Sequence, residues 1–308
     1  MLHIDDIDVF YGPVQALRGV SLRVEEGEMV ALLGSNGAGK TTTLRAASGM
    51  RTPHRGRITI DGHDATGLAP YEVVGLGVAH MPQGRELFAE LTVLENLRLG
   101  HWSRRNEKSQ LDERVERVFE LFPRLRERSR QHAGTLSGGE QQMLTVSRAL
   151  MSEPKVLLVD EASLGLAPII VEQLYEVIAE VNRRDGTAVL LVDQFVHLAL
   201  RYTERAYVLE KGEVILEGES DELAQSPDLL AAYLGESLPG QEPSPNGQAD
   251  TEMDRFVAQH STEECLDAAA EGRFDVDDLL AAEQRGPARE ELLRRLRGAA
   301  SRRTRETL

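Results

Sequence analysis

The chain has 308 residues and a formal net charge of −16, and its only cysteine is Cys265. The acidic balance argues against nucleic acid as the main partner, because phosphate contacts require clustered cations, and one cysteine excludes an internal disulfide. No apolar run approaches the roughly 20 residues that span a bilayer, and residues 1–6 do not resemble a signal peptide, so we expect a soluble protein inside the cell.

The first two predicted strands, 2–11 and 16–24, are joined through the turn Gly12-Pro13. Their closeness in sequence indicates an antiparallel β flap in front of the segment that follows. Tyr11 ends the first of these strands. From its position alone, the Tyr11 ring is equally suited to packing in the sheet and to stacking on a purine.

The next segment carries a phosphate-binding pattern. An apolar run at 29–33 predicts a buried strand, a helix-like stretch begins at Lys40, and the loop reads Gly34-Ser35-Asn36-Gly37-Ala38-Gly39-Lys40-Thr41-Thr42. In this context G-x-x-x-x-G-K-[ST] predicts a phosphate cradle. The glycines let backbone N–H groups converge on one anion, the Lys40 ammonium reaches the terminal phosphates, and the Thr41 hydroxyl ligates Mg²⁺. The pattern arises by chance in roughly 1 of 100 chains of this size, so alone it is only suggestive.

The chain then becomes helical in character. After short predicted strands at 57–60 and 77–81, apolar residues between 84 and 135 recur at helical spacing. We interpret about 84–150 as an α-helical subdomain inserted in an α/β body.

A second glycine-rich turn, 136–142, directly precedes a helix predicted at 139–151. The Ser137 hydroxyl, the N–H groups of Gly138 and Gly139 and the helix dipole form a second potential anion site. One nucleotide rarely needs two such cradles within one chain. The turn is therefore either a plain helix cap or a site that meets a nucleotide held by another copy.

A pair of acids, Asp160 and Glu161, ends the apolar strand predicted at 156–160. Ligands of open α/β sheets bind at the carboxyl ends of the strands. Asp160 is therefore predicted to hold Mg²⁺ through water, and Glu161 to orient or deprotonate the attacking water. The alternative is that Asp160 only caps the following helix.

The remaining elements complete an α/β fold. A helix at 169–184, a strand at 188–192 and a hairpin of 206–210 with 213–218 alternate as expected for a mostly parallel sheet covered by helices. The domain is expected to span 1–238, followed by a linker at 239–249 and a charged extension at 250–308 that is helical or disordered.

Together these motifs resemble the ATP-binding subunits of ABC transporters over about residues 2–236. The loop at 34–41, Gln83, the turn at 136–142 and the strand with its acids at 156–161 stand in the order and spacing of that family. The stretches that resemble the branched-chain amino-acid importer ATPases, and most of all the second of their two ATPase subunits, are 81–88, 91–97, 140–144 and 163–168.

The resemblance implies a P-loop NTPase core that binds ATP and Mg²⁺ and hydrolyses ATP. The implied nucleotide contacts are Tyr11, Gly34, Asn36, Gly37, Gly39, Lys40, Thr41, Thr42, Gln83, Ser137, Gly138 and Gly139. The implied metal contacts are Thr41, Gln83 and Asp160, and the implied catalytic residues are Glu161, Gln194 and Lys40.

It also implies partners. A second ATP-binding subunit, identical or related, would close head to tail, so that Ser137 of one subunit faces Lys40 of the other. Closure would drive membrane permease subunits, served by a solute-binding protein, at the cytoplasmic face of the cell membrane. Gln83 would report the nucleotide state to the permease through the helical insertion.

Two positions depart from the family pattern. Ala162 stands where proline is usual, and Asp193-Gln194 stands at the switch-histidine position. Gln194 can donate a hydrogen bond but carries no charge, and His197 is better explained as a surface or core histidine than as a displaced switch. A regulatory subunit therefore stays open as an alternative. A urea or short-amide importer ATPase also stays open, because the ATPase does not touch the solute. A soluble ABC protein outside transport is the rival from another class, but the span 42–135 holds no sustained heptads and the chain has only one phosphate loop.

Overall fold

The computed structural model of the chain describes residues 1–226 and 229, apart from Arg85, Gln194 and the Lys108 side chain. Contacts divide the chain into two units, Met1–Pro239 and Gly240–Leu308. The predicted linker and charged extension lie outside the described residues. In the part that is described, no helix is both long and apolar enough to cross a membrane.

Ten strands and nine α-helices are found among the described residues. The strands are β1 (Leu2–Tyr11), β2 (Val14–Val24), β3 (Met29–Leu33), β4 (Arg55–Ile60), β5 (His63–Asp64), β6 (Val78–Met81), β7 (Val156–Asp160), β8 (Ala188–Val192), β9 (Arg205–Glu210) and β10 (Glu213–Glu219). The α-helices are α1 (Lys40–Ala47), α2 (Pro70–Gly75), α3 (Val93–Gly100), α4 (Leu111–Leu121), α5 (Pro123–Glu127), α6 (Gly138–Leu150), α7 (Pro168–Asp185), α8 (Val196–Tyr202) and α9 (Ser220–Leu223).

The main sheet has the strand order β10-β9-β3-β8-β7-β6. Strands β9, β3, β8, β7 and β6 are mutually parallel, and β10 pairs antiparallel with β9 at the edge. Every residue of β3, β7 and β8 is buried, as expected for parallel strands covered on both faces. The phosphate loop follows β3 and the acids follow β7, so both motifs lie at the carboxyl edge of this sheet.

Side chains of the main sheet alternate between two hydrophobic cores. Ala31 of β3 packs into the core shared with α3–α7, whereas Val30 and Leu32 pack into the core shared with α1 and the N-terminal strands. The period of two follows from strand geometry. The sheet is therefore the middle layer of the fold.

The N-terminal strands form a separate antiparallel sheet with the order β2-β1-β4-β5. Its inward side chains, among them Ile4 and Val9, share one core with Leu44 of α1. This sheet is the predicted flap, and it covers the face of the main sheet that carries α1.

The other face carries the helical layer. Buried side chains of α3, α4, α5 and α6 join those of α7 in one core. Helix α3 begins at a capping box, in which the Glu95 N–H donates to Thr92 Oγ1 at 3.2 Å and the Thr92 N–H donates to Glu95 Oε2 at 2.8 Å.

The α/β fold, the mainly parallel sheet, the antiparallel flap and the helical layer confirm the expected fold class. The differences are local. Strand β2 begins at Val14 and β4 at Arg55, two residues before the predicted starts, and neither β5 nor α8 was predicted. Both are short, with two and seven residues, too few to display a clear period. His197 lies exposed on α8, as a surface histidine.

Candidate functional site

The loop between β3 and α1 requires glycine at two positions. Gly34 has φ 150° and Gly39 has φ 115°. A Cβ at Gly34 would lie 2.3 Å from the carbonyl oxygen of Leu209, and one at Gly39 would lie 2.6 Å from Leu17 Cδ2. The loop passes too close to neighbouring strands to carry side chains there. Glycine at these two positions therefore lets the loop backbone pass this close to its neighbours.

Lys40, the first residue of α1, is only 4% exposed. Its Nζ donates to the carbonyl oxygens of Gly34 at 2.8 Å and Ser35 at 3.1 Å and lies 3.8 Å from Glu161 Oε1. Burial lowers the pKa of Lys40, and nearby carboxylates, Glu161 first, oppose the shift. A buried ammonium beside loop N–H groups at a helix start suits a multiply charged anion.

Thr41 and Asp160 bring two oxygen ligands together. Asp160 is 1% exposed and ends β7, and the Thr41 hydroxyl donates to Asp160 Oδ1 at 3.2 Å. Burial raises the pKa of Asp160 to about 6, partly offset by the Thr41 hydrogen bond. A cation beside these oxygens would relieve the cost of the buried charge, and hard oxygen donors are the ligands that Mg²⁺ prefers. The donor set therefore fits Mg²⁺.

Across the described residues, no cluster of three or more His, Cys, Asp or Glu side chains could hold a metal ion. Mg²⁺ usually takes one or two protein ligands and completes its shell with phosphate oxygens and water. The Thr41–Asp160 pair matches that pattern.

Glu161 is held in a strained backbone conformation. Its φ of 48° lies in the left-handed region, which costs a residue with a Cβ about 1–2 kcal/mol. The Glu161 N–H donates to the Val192 carbonyl at the end of β8 over 2.8 Å, and Gln83 Nε2 donates to Glu161 Oε2 over 2.6 Å. With Lys40 near the other oxygen, the carboxylate has a fixed position, as a general base requires.

Most of these groups line one cleft of about 460 Å³. The lining residues are Ala16, Asn36, Gly37, Gly39, Lys40, Thr41, Thr42, Gln83, Glu161 and Leu164. The structure thus brings together most predicted residues of the phosphate loop, Gln83 and Glu161, whereas Gly34 and Asp160 do not line the cleft and Asp160 is joined to it through Thr41.

Tyr11 lies at the end of β1 and is 39% exposed. The Arg51 guanidinium lies over its ring, with Cζ 4.5 Å from the centroid. Burial raises the pKa of Tyr11, but hydrogen bonds to Thr42 and Arg45 and the positive charges of Arg45 and Arg51 lower it overall. The ring therefore lies beside α1, outside the residues that line the cleft.

The second glycine-rich turn is a helix start on the surface. Ser137 is exposed, and Gly138 and Gly139 are half-buried. The Glu140 N–H donates to Ser137 Oγ at 3.4 Å, and Glu140 Oε2 accepts from the Ser137 N–H at 2.9 Å and its hydroxyl at 2.8 Å. None of Ser137, Gly138 and Gly139 lines the cleft around Lys40 in its own chain.

Sequence reasoning missed a buried junction at Asp193, directly after β8. Asp193 Oδ2 accepts from the Ser163 N–H at 3.3 Å and from the Tyr175 hydroxyl, and Oδ1 accepts from the Phe195 N–H at 3.0 Å and from the Ser163 hydroxyl. An acid after a wholly apolar strand was the available signal, the same one that singled out the end of β7. Gln194, the predicted switch residue, lies outside the described residues.

A groove of about 780 Å³ lies where the helical layer meets α2 and β6. We call it the helical groove. Its lining includes exposed apolar side chains and two arginines, namely Tyr71, Phe88, Leu99, Trp102, Arg105 and Arg148. The arginine Cζ atoms lie over aromatic rings, Arg105 5.7 Å from Trp102 and Arg148 5.8 Å from Phe88. A large exposed apolar patch of this kind marks an interaction surface.

The main sheet with this cleft at its carboxyl edge is the arrangement of a P-loop ATPase. The profile of the ABC transporter family matches residues 17–164, and the chain belongs to that family as an ATP-binding, ATP-hydrolysing subunit.

Similar proteins agree with this assignment. BraG of Pseudomonas aeruginosa, a high-affinity branched-chain amino acid transport ATP-binding protein, is 46% identical over 235 residues, which are 76% of this chain and 100% of BraG. The ADP conformation of MJ1267, an ATP-binding cassette of an ABC transporter, matches with a TM-score of 0.67 and 29% identity over 76% of this chain and 98% of that one. A dimeric post-hydrolysis structure of the cassette MJ0796 with ADP and Pi matches with a TM-score of 0.64 and 26% identity over 71% of this chain and 99% of that one. The resemblance found in the motifs is confirmed.

Proposed function

We propose that this subunit uses ATP hydrolysis to energise an ABC importer for branched-chain or related amino acids. The observation that carries the proposal is the position of Glu161, held by Gln83 in the cleft that also contains Lys40. A fixed carboxylate beside a phosphate cradle is what water activation at a terminal phosphate requires. The similarity to BraG supports an amino-acid solute.

Within this proposal the chain's residues divide into three roles. The nucleotide contacts are Gly34, Asn36, Gly37, Gly39, Lys40, Thr41 and Thr42 for the phosphates and Tyr11 for the base. Thr41, Gln83 and Asp160 would hold Mg²⁺, which supplies positive charge to the phosphate oxygens when bound. Glu161 would accept the proton of the attacking water, and Gln194 would donate a hydrogen bond to a phosphate oxygen.

A second ATP-binding subunit, identical or related, would complete the site. The exposure of Ser137 supports this arrangement, because the turn that it begins is accessible and separate from the Lys40 cleft of its own chain. Leu164, which lines that cleft, is also a large exposed apolar side chain. The dimeric MJ0796 structure is a precedent for such pairing.

The helical groove is the proposed contact with the permease subunits. One segment of chain touches both surfaces, since Pro82 lines the groove and Gln83 lines the cleft. A change at the Gln83–Glu161 hydrogen bond would therefore be transmitted to Pro82, one residue away, in the helical groove. The protein would act at the cytoplasmic face of the cell membrane, with a solute-binding protein involved indirectly and without nucleic acid.

The experiment that tests this function compares Glu161→Gln with Glu180→Gln, which changes an exposed glutamate on α7. Glu161→Gln should lower ATP turnover by about 100-fold or more while ATP binding is retained, and Glu180→Gln should not change turnover. Turnover that survives Glu161→Gln would favour a regulatory subunit.

Transport is tested separately. Affinity purification of the tagged chain from membranes should recover two multi-spanning proteins, and recovery of soluble partners alone would contradict a role in transport. Uptake of labelled leucine, urea and acetamide, compared between cells that carry the wild type and cells that carry Glu161→Gln, then identifies the solute. Loss of urea or amide uptake instead of leucine uptake would assign the chain to that class of importer.

A further inference from the structure

Asp193 is a buried carboxylate with a regular set of donors. It is 0% exposed. Each of its oxygens accepts one backbone N–H and one hydroxyl: Ser163 N–H and the Tyr175 hydroxyl at Oδ2, Phe195 N–H and the Ser163 hydroxyl at Oδ1. A buried charge is costly unless it is fully hydrogen-bonded. The Asp193 carboxylate is therefore hydrogen-bonded by donors from three separate segments of the chain.

Two of those segments flank the proposed catalytic residues. Ser163 follows Glu161 by two positions, and the Glu161 N–H is itself bonded to Val192, the residue before Asp193. The Phe195 N–H donates to Asp193 Oδ1, two residues earlier in the chain, so the same carboxylate also ties the start of α8 to the end of β8.

We propose that Asp193 is a positioning residue that fixes the Glu161 loop relative to the end of β8. The inference rests on the proposed role of Glu161. The strained φ of Glu161 persists only if the surroundings determine it. Ala162 lacks the fixed φ that proline would have at this position. The backbone on either side of Ala162 is held instead by the hydrogen bonds of Glu161 to Val192 and of Ser163 to Asp193.

The substitution Asp193→Asn tests the hydrogen bonds that Asp193 accepts from the two backbone N–H groups. The two hydroxyls can reverse and accept from an amide NH₂, but the two backbone N–H groups can only donate. The introduced amide can place its NH₂ group at the position of either carboxylate oxygen. In both orientations one backbone N–H then faces another donor and loses its acceptor. Asp193→Asn should loosen either the Ser163 side or the Phe195 side of the junction.

The expected result is a loss in kcat with little change in ATP binding. Misplacement of a catalytic group by about 1 Å can cost on the order of 100-fold, so we expect kcat to fall about 10- to 100-fold and the Kd for ATP to change by less than about threefold. Thr203→Val is the matched control, because it removes a buried hydroxyl bonded to Ala199 and Ser220. It should lower the melting temperature without changing kcat.

A second pair of variants separates position from charge, since Asp193 also contributes negative charge near Lys40. Phe195→Pro deletes the N–H donor at a backbone φ of −81° that proline tolerates, and Phe195→Ala deletes the same side chain but keeps the N–H. We expect kcat of Phe195→Pro to be about tenfold below that of Phe195→Ala.

Turnover measurements on these variants decide whether Asp193 is a positioning residue. The inference is overturned if Asp193→Asn keeps wild-type kcat, or if Phe195→Pro and Phe195→Ala turn over ATP equally fast. Should Asp193→Asn fail to fold, the proline–alanine comparison alone decides. Retained turnover in Glu161→Gln would instead refute the proposed function, so the two failures are distinguishable.

Discussion

Asp160→Asn is expected to stabilise the folded protein above about pH 6 when Mg²⁺ is absent. Burial raises the pKa of Asp160 to about 6, against 3.8 for an ordinary aspartate. As the pH rises, the unfolded chain therefore ionises first. The stability contributed by this group is full below about pH 4, declines from there to about pH 6 and is lost above it. A shift of about two pH units corresponds to about 3 kcal/mol.

The asparagine avoids this loss because it carries no charge, and its carbonyl oxygen still accepts the Thr41 hydrogen bond. Urea unfolding of the full chain at about pH 8 and about pH 4.5 measures the effect, with a gain of about 3 kcal/mol at the higher pH and about 1 kcal/mol at the lower. Asp5→Asn, which removes an exposed acid from β1, is the control for net charge.

Mg²⁺ with ATP should reduce the stability difference between Asp160→Asn and the wild type, since only the wild-type carboxylate can pair with the cation. The reasoning is refuted if Asp160→Asn is no more stable than Asp5→Asn at about pH 8, or if it gains equally at both pH values.

The remaining predictions concern separate parts of the molecule. Arg114→Met should lower the free energy of unfolding by about 2 kcal/mol in urea, because the buried guanidinium donates to Glu153 Oε2 at 2.8 Å; an unchanged midpoint would mean that the ion pair contributes nothing. Gly34→Ala should abolish ATP binding or folding, since its Cβ would lie 2.3 Å from the Leu209 carbonyl oxygen, and calorimetric ATP titration with a thermal melt distinguishes the two. Trp102→Ala should keep ATP turnover of the isolated chain within about twofold but reduce recovery of membrane proteins in the purification; undiminished recovery would exclude the helical groove as the docking surface.

The fold was largely predictable because its central strands are short apolar runs. Residues 29–33, 156–159 and 188–192 are buried on both faces and therefore lack polar positions. Element ends were less predictable. Strand β4 begins at Arg55, before its apolar part, because Arg55 pairs with Asp8 of the neighbouring strand β1. Asp8 is far from Arg55 in sequence.

The candidate site was predictable where one contiguous motif supplies the chemistry. The loop around Lys40 and the acids after β7 belong to this group. Contacts between distant segments were not predictable, such as the Gln83 bond to Glu161, which joins residues 78 positions apart. The junction at Asp193 is of the same kind, since its donors come from α7 and from two loops and no local pattern relates them.

The capping box at the start of α6 has a consequence for anion binding. The Ser137 hydroxyl donates to Glu140 Oε2 at 2.8 Å, so an incoming phosphate must displace a like-charged carboxylate from its own helix. Arg128 Nε lies 2.8 Å from Glu140 Oε1 and would remain a partner of the carboxylate once its bond to Ser137 is broken. A lone phosphate ion gains little from that exchange, whereas an anion delivered on a broad protein surface arrives with many other contacts. In the proposed dimer, the start of α6 would therefore favour a phosphate presented by a second subunit over a free ion.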